Sequence, residues 1–316
     1  MYQDHNLHIG GKWRAASDGA TRGVTDPATE AEIGKIAVAT DADIDAALDA
    51  AAAGFATWRH WGTWDRAAKL RRVADLIRER TERIATLMSL ETGKPLAESR
   101  GEVGAAADQF EWYAEETKRI YGQIIEARPP DSRLSVIYQP VGVVAAFSAW
   151  NFPALLPARK IAAALGAGCS IIIKPAGETP ASCAALVEAC VDAGIPDGVV
   201  NYVTGNSAQI AERLIRSPIV RKVSLTGSVD VGRQLLHLAA EGIKKVSMEL
   251  GGHGPVLVFG DVDGRAVAEA CAAQQQGIAT LVEVVVNKEL GAPFRRDAMQ
   301  DQRCLLPRYA NLTVTR

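Results

Sequence analysis

From Val141 onward the chain alternates short apolar runs with amphipathic stretches, joined by brief connections. Few folds accommodate that rhythm. Residues 141–147, 170–174, 199–204, 221–226, 245–250 and 255–259 read as strands: they are short, largely apolar and bounded by Gly, Pro or polar residues. Residues 156–165, 180–193, 208–216 and 232–240 read as the helices between them. Repeated strand–helix–strand units of this length require parallel strands with helices on both faces. The prediction is therefore an α/β fold built on a doubly wound parallel sheet. Such a sheet receives ligands in crevices beyond the carboxyl ends of its strands.

The upstream half has a different character. Short strands are predicted around His8-Ile9 and Lys12-Trp13-Arg14, joined by a Gly10-Gly11 turn, with a further turn at Asp26-Pro27 and a strand over 33–38. Three helices follow, over 43–55 with Asp41 or Asp43 as cap, over 64–88, and over 103–121. The second carries Leu70, Val73, Leu76, Ile77, Ile84, Leu87 and Met88 at helical spacing and stops at Gly93-Lys94-Pro95. Phe110, Trp112, Tyr113 and Ile120 anchor the third by packing in a core or an interface. Arg128-Pro129-Pro130-Asp131 separates two strand-like runs and marks 124–138 as a protruding hairpin.

Length and charge set outer limits. A chain of 316 residues suggests two domains, and a net charge of -2 with mixed signs offers nothing to nucleic acid or an anionic membrane. No apolar run approaches the ~18 residues of a membrane span, and the first residues lack a signal-peptide pattern. The five cysteines, Cys169, Cys183, Cys190, Cys271 and Cys304, are scattered without metal-ligand spacing. They fit a reducing, cytoplasmic setting as small buried hydrophobes, and no metal site is expected.

Four strand ends carry residues able to do chemistry. Trp150-Asn151-Phe152-Pro153 ends the first strand of the repeating region; Asn151 either satisfies a turn or meets a ligand. Lys174-Pro175 ends the next, and the lysine either snorkels at a strand edge or reaches a phosphate or ribose. Thr226-Gly227-Ser228 leads into a helix holding Gly232, a common turn that also lets a backbone approach a pyrophosphate. Glu249-Leu250-Gly251-Gly252 places a carboxylate at a strand end; it is either a surface glutamate or, if buried against the crevice, a general base.

Taken together and in this order, Trp-Asn-Phe-Pro, Ile-Lys-Pro, Thr-Gly-Ser and Glu-Leu-Gly-Gly resemble the aldehyde dehydrogenase superfamily. Glu91-Thr92-Gly93-Lys94-Pro95, Pro140-Val141-Gly142-Val143 and Gly194-Ile195-Pro196 agree, so the resemblance covers residues 5–274, closest in flavour to succinate-semialdehyde dehydrogenases. It implies oxidation of an aldehyde to a carboxylic acid with NAD or NADP. A cysteine thiolate attacks the aldehyde, an asparagine amide holds the oxyanion, and a glutamate activates water to release the acyl group. By resemblance, Asn151 is the oxyanion donor and Glu249 the base. Trp150 and Lys174 line the adenosine-ribose side, Gly227 and Ser228 meet the pyrophosphate with Val231 packed nearby, and Leu250 and Gly251 lie beside the nicotinamide. Residues 1–123 and 139–249 would form the cofactor domain, 124–138 an oligomerisation hairpin, and 250–316 a truncated catalytic domain. The family is homo-oligomeric.

Two departures follow from the same comparison. NAD-preferring relatives carry Lys-Pro-Ala-Glu, where this chain has Lys174-Pro175-Ala176-Gly177 followed by Glu178; NAD and NADP both stay open, with a lean toward NAD. More severely, the family's Gly-Gln-x-Cys stretch is absent, and counting on from Glu249 puts Glu283 where the nucleophile belongs. Cys271 comes too early and Cys304 too late. From about residue 275 the tail becomes Arg-rich and matches nothing in the family's pattern, so a truncation, frameshift or gene rearrangement is expected there, leaving either a dead cofactor-binding remnant or an interaction module. Residues 280–286, β-prone and nearly uncharged, would add an aggregation hazard.

Overall fold

The computed structural model describes residues 2–252, together with Ala268, Glu269 and Ala272, which are helical. The rest of the helix expected over 266–273 lies outside the described residues, as do the strand at 255–259, the 280–286 run, Glu283, Cys271 and Cys304.

The elements run β1 (Leu7–Ile9), β2 (Lys12–Arg14), β3 (Thr21–Thr25), β4 (Glu32–Ala37), α1 (Asp41–Trp58), α2 (Thr63–Glu79), α3 (Thr81–Thr92) and α4 (Leu96–Thr117). They continue as β5 (Gln123–Glu126), β6 (Arg133–Val136), β7 (Val143–Phe147), α5 (Leu155–Gly166), β8 (Ile171–Lys174), α6 (Pro180–Asp192), β9 (Val200–Tyr202), α7 (Ser207–Arg216), β10 (Val220–Gly227), α8 (Val229–Glu241) and β11 (Lys245–Leu250). One seven-stranded sheet has the order β11-β10-β7-β8-β9-β1-β2. Its first five strands are parallel, as expected; β1 and β2 extend it antiparallel, with His8 opposite Tyr202. A two-stranded antiparallel extension needs no crossover helix, which fits the short connection between β1 and β2.

Both faces are covered, which explains the continuous apolar runs. Along β7, Val144 and Ala146 join the cluster beneath α2–α6, while Val143, Ala145 and Phe147 join the cluster with residues of α1, α7 and α8. Cys169, Cys183 and Cys190 are buried and unpaired, the small hydrophobes foreseen.

Several boundaries differ from expectation. Thr40, not Asp41 or Asp43, caps α1; its hydroxyl accepts from the Asp43 amide, and the Asp43 carboxylate accepts from the Thr40 amide in return. The helix expected over 64–88 is two helices, broken at Arg80, whose amide donates to both Leu76 and Ile77. Ile77 and Ile84 stand seven apart on either side of the break, so the apolar rhythm runs through it undisturbed. The helix expected over 103–121 begins at Leu96, just after Pro95, and ends at Thr117; neither Gly101 nor Gly104 interrupts it. Of its aromatics Phe110 is in the core, whereas Trp112 is mostly exposed. Strand β4 has an unforeseen antiparallel partner in β3. The hairpin at 124–138 is present as β5 and β6, paired only with each other among the described residues and exposed along their whole length.

Candidate active site

The parallel strands run in chain order β7, β8, β9 to one side, and the chain then returns to place β10 and β11 on the other. The order reverses between β7 and β10, which makes the crevice there the favoured ligand position of an open α/β sheet. The strand ends lie level. Phe147 of β7 is opposite Lys174 of β8 and Leu225 of β10, and Glu249 of β11 is opposite Thr226.

At this end lies a cleft of about 790 Å³. Its lining includes all nine described residues that the sequence singled out: Trp150, Asn151, Lys174, Gly227, Ser228, Val231, Glu249, Leu250 and Gly251. They come from four strand ends more than a hundred positions apart at the extremes, and the sheet brings them together. Its size is that of a small-molecule or cofactor site.

Asn151 sits on a turn fixed from below by groups the sequence did not reveal. Lys94 donates to the Asn151 carbonyl at 3.0 Å and lies over the Phe152 ring at 4.3 Å. The same ammonium pairs with Glu102, which is buried, and Glu102 accepts from the amides of Ala154 and Leu155 at 2.9 and 3.1 Å. A carboxylate at the amino end of α5 thus satisfies amides that the helix cannot. The Asn151 side-chain amide has no hydrogen bond among the described residues and remains free to donate into the cleft.

Lys174 is buried, so it is not a lysine snorkelling at an edge; β8 is a central strand. Its ammonium donates to the Ser207 hydroxyl at 2.6 Å, and burial lowers its pKa to about 8. Of the two readings left open for Glu249, the structure has the exposed one. Its side chain is 57% exposed, because β11 is an edge strand among the described residues. Its nearest partners are the Thr226 hydroxyl at 3.3 Å and Arg159 at 3.9 Å. A second cavity, about 510 Å³, opens on the other side of Glu249 and holds Lys160. Lys160 is buried, bonds Ser224 at 3.0 Å, and has its pKa lowered to about 8 by burial, against which the charge of Glu249 acts. Lys160 was missed because the periodicity of α5 marks it only as a helix position; a lysine amid apolar residues was the available signal.

A dinucleotide fits the groups present. Ser228 caps α8, its hydroxyl accepting from the Val231 amide at 3.3 Å, and the helix amino end faces the cleft. A Cβ on Gly232 would lie 2.9 Å from a Leu250 methyl carbon, so glycine there lets the end of β11 close on α8. The Ser148 hydroxyl lines the cleft, buried and without a hydrogen-bond partner among the described residues. Among the described residues no cluster of His, Cys, Asp and Glu could hold a metal, and no helix is long and apolar enough to cross a membrane.

Fold and cleft together define a doubly wound α/β protein with a nucleotide-sized site at its switch point. The chain belongs to the aldehyde dehydrogenase family, whose model matches residues 13–279. It is 48% identical over 263 residues to a 4-(hydroxymethyl)benzenesulfonate dehydrogenase of Comamonas testosteroni, covering 83% of this chain and 55% of that protein. It is likewise 48% identical over 256 residues to the glutarate-semialdehyde dehydrogenase of Pseudomonas putida, covering 81% of this chain and 53% of that one. Among solved structures, an Escherichia coli NADP-dependent enzyme superposes with a TM-score of 0.79 at 44% identity, covering 86% of this chain and 56% of that chain. The chain thus spans about half the length of these relatives. The family match stops near the break expected at about 275, but an aspartate-semialdehyde dehydrogenase of Halomonas elongata aligns at 41% over 307 residues, 97% of this chain and 62% of its own length, so the tail is not without counterpart.

Proposed function

We propose that this chain carries the dinucleotide-binding site of an aldehyde dehydrogenase that oxidises a small aldehyde, of the semialdehyde class, to its carboxylic acid. The observation that carries the reading is the convergence of Asn151, Lys174, Gly227, Ser228 and Glu249 on one cleft at the switch point. The cofactor, NAD or NADP, would supply the hydride acceptor. Trp150 and Lys174 would hold its adenosine ribose, Gly227, Ser228 and the amino end of α8 its pyrophosphate, with Val231 packed beside them and Leu250 and Gly251 at the nicotinamide. The Asn151 amide would donate to the oxygen that gains charge as the aldehyde carbon is attacked. The Glu249 carboxylate would take a proton from the water that releases the acid. Relatives whose names give semialdehyde and aryl substrates both lie near 48% identity, and the semialdehyde class is supported by two of the three relatives above whose names give a substrate.

With Glu283 at the position of the nucleophile, binding and turnover should separate in this chain. Calorimetric titration is expected to show one dinucleotide bound per chain, while NAD(P)H formation with a panel of aldehydes stays at background. Sustained turnover would overturn the inactivity; no binding of either dinucleotide would overturn the site.

The hairpin supports an assembly reading. Ile124, on a two-stranded sheet of marginal stability by itself, is 81% exposed, and Ile137, just past the end of β6, is 72% exposed. Pairing with a second copy through this edge would cover both. Ile124→Lys with Ile137→Lys is expected to shift sedimentation from an oligomer to a monomer; a wild-type chain that already sediments as a monomer excludes the assembly.

A further inference from the structure

One wall of the cleft contains a charge that neither the strand ends nor the cleft's glycines account for. Arg22, on β3, lines it together with Lys174, Ala176, Gly177, Glu178 and Ser207. β3 belongs to the small separate sheet near the amino terminus, so this guanidinium enters from outside the parallel sheet altogether. It occupies the space in front of Gly177: a Cβ built on that glycine would fall inside the guanidinium group, 2.8 Å from its Cζ and 3.2 Å from Nη1. The absence of a side chain at 177 is therefore what admits Arg22. The backbone of Gly177 has no left-handed angle that would otherwise call for glycine.

Among the described residues no carboxylate pairs with Arg22. Lys174 stands at the same end of the cleft, already short of solvent. Its pKa is lowered chiefly by burial, and the positive charge of Arg22 pushes in the same direction against the pull of Glu178. Two cations thus share one end of the cleft with a single exposed carboxylate, and they face the same volume. Holding two like charges this close is unfavourable unless an anion joins them, and a phosphomonoester, at roughly -1.5 to -2 charge with three acceptor oxygens, suits a guanidinium and an ammonium together.

We infer that Arg22 is a specificity-determining residue that, with Lys174, receives the 2′-phosphate of NADP, so that this chain binds NADP in preference to NAD. The inference rests on the cofactor site proposed above and runs against the lean toward NAD drawn from sequence. In dinucleotide folds an acidic residue at the ribose hydroxyls goes with NAD, and an arginine there accommodates the 2′-phosphate. Here glycine stands where the acid would be, and the arginine fills its place from another element.

The test is calorimetric titration of the full chain with NADP+ and with NAD+ at one ionic strength. NADP+ is expected to bind on the order of 10-fold more tightly. Arg22→Ala should lower NADP+ affinity about 10-fold and leave NAD+ within about 2-fold. Arg22 is exposed, so that variant keeps its fold. Gly177→Glu offers a second route: it places a carboxylate against Arg22 and should weaken NADP+ selectively. Equal affinities in the wild type, or an Arg22→Ala variant that loses both cofactors alike, overturns the role of Arg22 and leaves the cleft a cofactor site. Binding of neither dinucleotide overturns the cofactor site itself.

Discussion

Replacing Glu91 with alanine is expected to cost about 3–4 kcal/mol, because four donors lose one buried acceptor together. Glu91 lies at the end of α3, 3% exposed. One carboxylate oxygen accepts from the Tyr2 hydroxyl and the Ala181 amide, each at 2.6 Å; the other accepts from the Ser182 amide at 3.2 Å and its hydroxyl at 2.9 Å. The two amides belong to the first turn of α6, so the group closes a helix amino end that has no partners of its own. The loop from Lys174 to Pro180 leads directly into that turn and forms a wall of the cofactor cleft, so the same substitution should also weaken dinucleotide binding. Urea denaturation at pH 8, where the group is the carboxylate, measures the loss; a change below about 1 kcal/mol would mean that the surroundings collapse onto the site.

The pH dependence of this group has a definite sign. Burial raises the Glu91 pKa to about 7, against the lowering effect of its hydrogen bonds. A folded state that holds the proton more tightly than the unfolded chain gains stability that is fully present below the unfolded value near 4.5 and fades as pH rises through about 7. The neutral acid keeps the site occupied by donating from one oxygen to the Ser182 hydroxyl. Glu91→Gln removes the titration while keeping the size. The stability difference between wild type and this variant is therefore expected to shift against the wild type by about 2.5 kcal/mol between pH 5 and pH 8. A difference that stays constant over that range would show that Glu91 titrates normally.

What could be read from the sequence follows the reach of each signal. The central strands β7 and β8 were legible because burial on both faces writes a nearly unbroken apolar run, as in Ile171-Ile172-Ile173, while β10 and β11 were legible from their apolar residues and spacing within the repeat. The strand-end residues were legible because their order along the chain is that of a known family, and one cleft gathers them. The supports were not. Glu91 and Lys94 fall in a stretch that agreed with the resemblance without showing a role, Glu102 is an interior position of α4, and nothing in their spacing tells that each carboxylate closes a distant helix, α6 or α5. Lys160 and Arg22 look like any surface cation until the fold buries one and swings the other over a glycine. For Glu249 the sequence could not choose between the exposed and the buried reading, since edge position is a property of strand order and not of the strand's residues.

Gly54 gives the sharpest conflict between local preference and tertiary packing. It lies inside α1, where alanine should be better than glycine by about 1 kcal/mol on helix propensity alone. Yet α1 approaches the turn before β9 so closely that a Cβ at 54 would overlap the Gly198 carbonyl and lie 2.5 Å from the Val199 amide nitrogen. The obstruction is backbone, so no side chain can rotate away. Gly198 itself has φ +77, and a Cβ there would press on the Ala50 carbonyl in return. The turn belongs to the connection that delivers β9 to the sheet, which leaves α1 to give way. Forcing helix and sheet apart costs about 1–3 kcal/mol or somewhat more for such overpacking, exceeding the propensity gain. Gly54→Ala is therefore expected to destabilise the chain by about 2 kcal/mol net. Gly101 in α4 supplies the opposite case: nothing lies within 4 Å of its built Cβ, and Gly101→Ala should stabilise by up to about 1 kcal/mol. Thermal unfolding of the two variants side by side decides the matter. Shifts of the same sign would mean that α1 adjusts freely, and that the close contact between Gly54 and Gly198 does not hold the helix against the sheet.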